Sequence, residues 1–160
     1  IERAEQSLAL AIPVESVKEL IARAARAEQP KPLGTLTRRG GNDLATDAEY
    51  DAAARAYNAR DFEEAESRAK TVVARYPDSP SAHLLLGQVY LQRRSYSDAA
   101  DSFERAIQLK SDLAPAWFGR ALADWHHGSK DRARDALREL QKLDPALAKK
   151  LTDSIPALAH

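Results

Sequence analysis

Asp61-Phe62-Glu63-Glu64-Ala65, Ser95-Tyr96-Ser97-Asp98-Ala99 and Ser129-Lys130-Asp131-Arg132-Ala133 are one element written three times, 34 residues apart. Each opens on a residue whose side-chain oxygen suits a helix N-cap, and Glu64 and Asp98 place acidic groups near the positive end of the helix that follows. Each closes on Ala, which lets another helix come close. A fixed period of this length means stacked supersecondary units, so it decides the architecture.

Working outward, each element is the start of the second helix of a unit, and a first helix precedes it with its own start signal. These signals are Thr46-Asp47-Ala48-Glu49 as a capping box, Ser79 before Pro80, and Pro115 in an opening turn. Pro77 and Pro145 stand at matching places after second helices and stop them. The units therefore run 46–79, 80–113 and 114–147. Each is a helix, a tight turn (Ala59-Arg60, Arg93-Arg94, His127-Gly128) and an antiparallel helix. After Pro145, Ala146 to Ile155 reads as a last helix with a basic outer face, so residues 148–160 are expected to cap the stack.

Residues 1–45 do not continue the period, because the same template one unit earlier puts Glu19 and Lys31 where small residues are needed. After Pro13, Val17, Leu20, Ile21, Ala24 and Ala25 recur at helical spacing and predict an amphipathic helix to about Ala27. A shorter helix is expected over Glu2 to Ala11. Gln29 to Gly34 and Arg38 to Asn42 are rich in Pro and Gly and read as a linker.

The middle unit carries Leu86, Gly87, Tyr90, Ala99, Phe103 and Ala106 at unit positions 7, 8, 11, 20, 24 and 27. Large and small residues in that order over a 34-residue helix pair resemble the tetratricopeptide repeat. Physically, Gly87 and Ala99 let the paired helices approach to about 8 Å, while Tyr90 and Phe103 fill the space toward the next unit. The third unit keeps Trp117, Ala121, Ala133, Leu137 and Pro145, but has Arg120 and Asp124 where the pattern has Leu and Tyr. The first keeps Ala53, Ala65 and Pro77, but has Glu49, Ala56 and Ala69 at usually bulky sites, with Tyr57 and Phe62 expected to compensate.

The resemblance implies an all-α, right-handed solenoid whose concave face, lined by the first helix of each unit, receives a peptide or helix of a partner protein. Carried over residue by residue, unit positions 2, 5, 9, 12 and 13 give Asp47, Tyr50, Ala54, Tyr57 and Asn58, then Ser81, Leu84, Gln88, Leu91 and Gln92, then Pro115, Phe118, Leu122, Trp125 and His126. This groove is aromatic and amide-rich with little charge. Aromatic side chains of this kind dominate interface energies; the competing assignment puts Tyr57 and Trp125 in the core or against the N-terminal helix. The family's charged groove, which clamps the terminal carboxylate of heat-shock chaperones, needs Lys, Asn and Arg where this chain has Tyr50, Ala54, Pro115 and Gly119. A carboxylate clamp is therefore not expected.

Other chemistries find little support. Lys+Arg and Asp+Glu are 24 each, so no net field draws in nucleic acid, and Arg38-Arg39 and Arg93-Arg94 read as solvated pairs. There is no Cys for a disulfide, thiolate ligand or thiol nucleophile. His126 and His127 diverge by about 100° on a helix, and His127 with Asp131 lacks a third ligand, so neither metal nor cofactor is expected. The Ser, His and Asp residues are explained by caps and solvent-facing positions, so no catalytic site is expected. No apolar run approaches the roughly 18 residues of a membrane span, so the chain is expected to be soluble, in cytoplasm or periplasm alike.

The chain starts at Ile1 and contains no Met, which suggests a processed form or a piece of something longer; Arg exceeds Lys by 16 to 8, as in a GC-rich bacterial genome. The expected function is a scaffold or adaptor that binds a partner protein within a larger bacterial assembly. The alternatives are a secretion-type chaperone holding an export client and the regulatory region of an enzyme. The apolar stripe of residues 1–27 must be buried somewhere, which allows a dimer through that helix or docking within the same chain.

Overall fold

The computed structural model describes residues 47–158; the expected N-terminal arm and linker, with the dimer contact assigned to them, lie outside the described residues. Seven α-helices occur there: α1 (Ala48–Asn58), α2 (Phe62–Arg75), α3 (Pro80–Gln92), α4 (Tyr96–Leu109), α5 (Ala114–His127), α6 (Lys130–Leu143) and α7 (Pro145–Ser154), followed by a 3₁₀ turn at Pro156–Leu158. No strand occurs among the described residues. Each helix packs on the next along the chain, so the fold is an all-α solenoid of helix pairs.

The caps follow the sequence signals with one shift. Asp47, not Thr46, caps α1: its carboxylate accepts from the Glu49 and Tyr50 amides at 2.8 and 3.1 Å. The same carboxylate accepts from Tyr76 Oη at 2.6 Å and pairs with Arg75 at 2.7 Å, tying the start of α1 to the end of α2. A carboxylate does both jobs at once, which the Thr hydroxyl cannot. Asp61 and Ser79 cap α2 and α3 through their side chains. Ser95 and Ser129 occupy the N-cap positions of α4 and α6 but make no side-chain cap bond.

The three turns between paired helices are copies. Arg60 (φ 63°), Arg94 (φ 62°) and Gly128 (φ 91°) take the left-handed conformation. The next amides then reach back, Asp61 to Ala56 O, Ser95 to Tyr90 O and Ser129 to Asp124 O, at 3.0, 2.9 and 2.8 Å. This is a Schellman closure, and only the third unit supplies the Gly that adopts it without strain.

Phe103 is fully buried between α3 and α5. A Cβ at Gly87 would lie 2.8 Å from its Cε1, and one at Gly119 would lie 2.6 Å from the same atom. Gly87 thus makes room for this ring, and Gly119 on the neighbouring unit does so as well. Ala99 is buried without exposure.

The polar substitutions of the third unit form an ionic cluster in place of apolar packing. Asp124 has no exposed surface and faces Arg132 at 3.2 Å and Arg120 at 3.5 Å; Arg120 also pairs with Glu104 on α4 and lies over the Trp117 ring. Burial pushes the Asp124 carboxyl up, and Arg132 and Arg120 oppose that shift. In the first unit Tyr57 and Phe62 meet edge to face at 6.0 Å and pack with Ala65 and Val89, as compensation for the small residues requires. Glu49 is paired with Arg68 at 2.7 Å. At the far end α7 is capped by Asp144, and Leu147, Ala148, Leu151, Ile155 and Leu158 cover Phe118, Leu122, Leu137 and Leu140.

Candidate interaction groove

The first helices α1, α3 and α5 touch their counterparts in neighbouring units more than the second helices α2, α4 and α6 touch theirs. A stack built so curves with its first helices on the inner side. The residues assigned to the groove from Tyr50 to His126 stand on α1, α3 and α5, the candidate wall.

Along that wall they divide by depth. Tyr57, Leu84, Gln88, Phe118 and Leu122 are buried and form its floor. Tyr50, Ala54, Leu91 and Trp125 are half-buried, and Asn58, Gln92 and His126 are exposed. The structure brings the last three into a row, since they occupy one unit position on α1, α3 and α5. Tyr57, Leu91 and Trp125 form the row beside it. Of the two aromatics with competing assignments, Tyr57 is in the core against Phe62, and Trp125 stays partly accessible with the Lys130 ammonium 5.6 Å from its ring centre.

Apart from His126 the groove positions on α1, α3 and α5 carry no ionisable acid or base but Tyr50 and Tyr57, while Lys130 and Arg94 stand beside Trp125 and His126. Burial pushes the Tyr57 hydroxyl up to about 12, with a hydrogen bond to the Gln92 side chain acting the other way. His126 stacks on Tyr96 at 5.0 Å, and its own burial with the nearby Arg94 charge pulls its pKa below the usual imidazole value. That shift favours the uncharged ring, and this stacking leaves no signal in the sequence pattern. Gln88 Oε1 is buried with no hydrogen-bond partner among the described residues. Among the described residues no three His, Asp or Glu side chains are grouped to hold a metal ion.

Residues 50–115 match the family model described as tetratricopeptide repeat. Over that stretch the chain is similar to the tetratricopeptide repeat family. Its repeats resemble solved structures at low identity. The second such domain of human RPAP3, solved in complex with the HSP70 peptide SGPTIEEVD, superposes with a TM-score of 0.66 at 18% identity, covering 71% of this chain and 93% of that one. TTC0263, a tetratricopeptide repeat protein of Thermus thermophilus, gives a TM-score of 0.62 at 17% identity, over 91% of this chain and 75% of that one. In sequence, 61 residues are 33% identical to mouse Superkiller complex protein 3, over 38% of this chain and 4% of the length of that relative. No described helix of these repeats is long and apolar enough to cross a membrane.

Proposed function

We propose that this chain is a scaffold or adaptor that holds an uncharged, partly apolar segment of a partner protein against α1, α3 and α5, within a larger, bacterial assembly. The observation that carries the reading is the character of the accessible row: Asn58, Gln92 and His126 offer amide and imidazole groups and no carboxylate or ammonium. Beside them, Leu91 and Trp125 offer apolar surface. Amide side chains pair with a ligand backbone, and half-buried aromatics bind side chains with little entropy loss.

The RPAP3 domain was solved with a peptide ending in Glu-Glu-Val-Asp, which needs cations to receive it. Here Tyr50, Ala54, Pro115 and Gly119 stand at the sites where the family's clamp has its ligating side chains. SGPTIEEVD is therefore the wrong chemistry for this groove, and adding it at about a hundredfold excess, enough to populate even a weak complex, is predicted to leave the amide spectrum of the chain unchanged. A holding role also fits the use of Ser, Asp and Glu side chains as caps and ion-pair partners.

The test is affinity capture from the source cell with the full chain and with Gln92→Ala/Trp125→Ala/His126→Ala. The triple variant is expected to keep its helical circular dichroism and lose at least tenfold in captured partner. Undiminished capture overturns the groove assignment.

A further inference from the structure

We propose that His126 is an acid-released clasp: its uncharged ring stacks on Tyr96 and completes the accessible row, and on taking up a proton it leaves the stack and releases the partner. This regulation rests on the groove reading above and adds a condition for release.

His126 is the last residue but one of α5 and Tyr96 the first of α4, so their contact joins the third unit to the second. The rings lie 5.0 Å apart at 19°. The charged or titratable groups on the elements that meet here are Arg93 and Arg94 on the α3–α4 turn, Asp98 in the first turn of α4, His127 on α5 and Lys130 at the start of α6. Arg93 pairs with Glu66, and Lys130 lies over Trp125. Of this set Arg94 alone acts on the imidazole, and no carboxylate offsets it.

A tyrosine face attracts a cation, so stacking alone does not decide which form of the ring is held. Burial first, and Arg94 after it, pull the pKa of His126 below the 6.5 of an ordinary imidazole. A ring that holds its proton less tightly in the stack leaves the stack more readily once protonated. The clasp is therefore closed above pH 6.5 and opens as pH falls through the lowered pKa. Opening takes the third member out of the row Asn58, Gln92, His126. It also leaves an imidazolium beside Arg94, and an uncharged segment entering there strips water from both charges. Where binding needs the uncharged ring, affinity falls by up to about tenfold per pH unit below that pKa. Asp124, whose carboxyl burial pushes up, faces Arg132, Arg120 and His127, so mutation separates its titration from that of His126.

The test uses the full chain and the tightest peptide selected on it from a random display library at about pH 7.5, where the clasp is closed. The dissociation constant of that peptide is expected to rise at least about threefold on going to about pH 5, with helical circular dichroism unchanged. In His126→Gln the ratio of the two constants should fall to about one. In Arg94→Gln the weakening should set in at higher pH, because the ring regains its proton there. For the free chain, imidazole NMR signals of His126 should titrate with a midpoint below 6.5, and their contacts to the Tyr96 ring should vanish at that midpoint. Equal constants at the two pH values, the same fall in His126→Gln, or a Tyr96 contact that persists through the titration overturns the proposal. If the constant does not move with pH while Gln92→Ala/Trp125→Ala/His126→Ala still abolishes binding, the groove reading survives and the clasp is refuted. A peptide that the triple variant binds unchanged refutes the groove reading itself.

Discussion

The ring of Phe103 lies where the side chain of residue 119 would begin: a Cβ on Gly119 would come within 2.6 Å of Phe103 Cε1, closer than any unstrained contact. Gly119→Ala is therefore predicted to destabilise the stack by about 1–3 kcal/mol through overpacking. This outweighs the roughly 0.5–1 kcal/mol that Ala normally gains over Gly in a helix. Phe103→Leu in the same chain should recover part of the loss. Urea unfolding of the two single variants and the double variant measures the coupling; additive losses would contradict the packing.

The repeated left-handed turns make an opposite prediction. Arg94 is held at a φ of 62° that Gly adopts freely, so Arg94→Gly is expected to stabilise by up to about 1 kcal/mol. Gly128→Ala meets no steric neighbour within 4 Å, yet is expected to destabilise by about 1 kcal/mol from backbone strain alone. Thermal unfolding of both variants checks the signs.

The ionic cluster of the third unit is predicted to behave as a unit. Arg120→Ala leaves the fully buried Asp124 with Arg132 alone and should destabilise by about 3 kcal/mol. Arg120→Leu/Asp124→Tyr, which writes the family's usual pair, should recover most of that loss, since apolar replacement of a buried ion pair is often neutral or better. Guanidinium unfolding at pH 7 compares the two variants.

Asp47 gives a pH dependence whose sign follows from its partners. The Tyr76 hydroxyl, the Arg75 guanidinium and the backbone amides of Tyr50 and Glu49 lower its pKa to about 2 from an ordinary 3.8, against an opposing effect of burial. The folded state thus holds this proton less tightly than the unfolded chain. The resulting stability is present above about pH 4 and lost as pH falls toward about 2. Asp47→Asn should reduce the loss of stability over that interval, as read by unfolding midpoints at about pH 4, 3 and 2.

The fold is legible because a 34-residue period and the N-cap and Pro signals are local properties of the chain. The helices begin and end where Ser79, Pro80, Asp61 and Pro145 indicate. What escapes is non-local. Gly119 reads only as a departure from a charged clamp until Phe103 of the preceding unit is set against it. Arg120 and Asp124 read as defects in the pattern, although together with Glu104 and Arg132 they neutralise one another. Membership of the inner wall follows from helical register, but depth along it does not. Tyr57 and Trp125 share a unit position, yet one packs on Phe62 and the other remains partly accessible beside Lys130.

The central claim, that α1, α3 and α5 present a groove for an uncharged segment, is tested most directly by selecting peptides on the full chain from a random display library. The tightest would then be mapped by amide chemical-shift changes. The account predicts sequences lacking acidic residues and rich in aromatic and aliphatic ones, with shifts concentrated on α1, α3 and α5 around Asn58, Leu91, Gln92 and Trp125. Selection of acidic C-terminal peptides, or shifts confined to α2, α4 and α6, would contradict it.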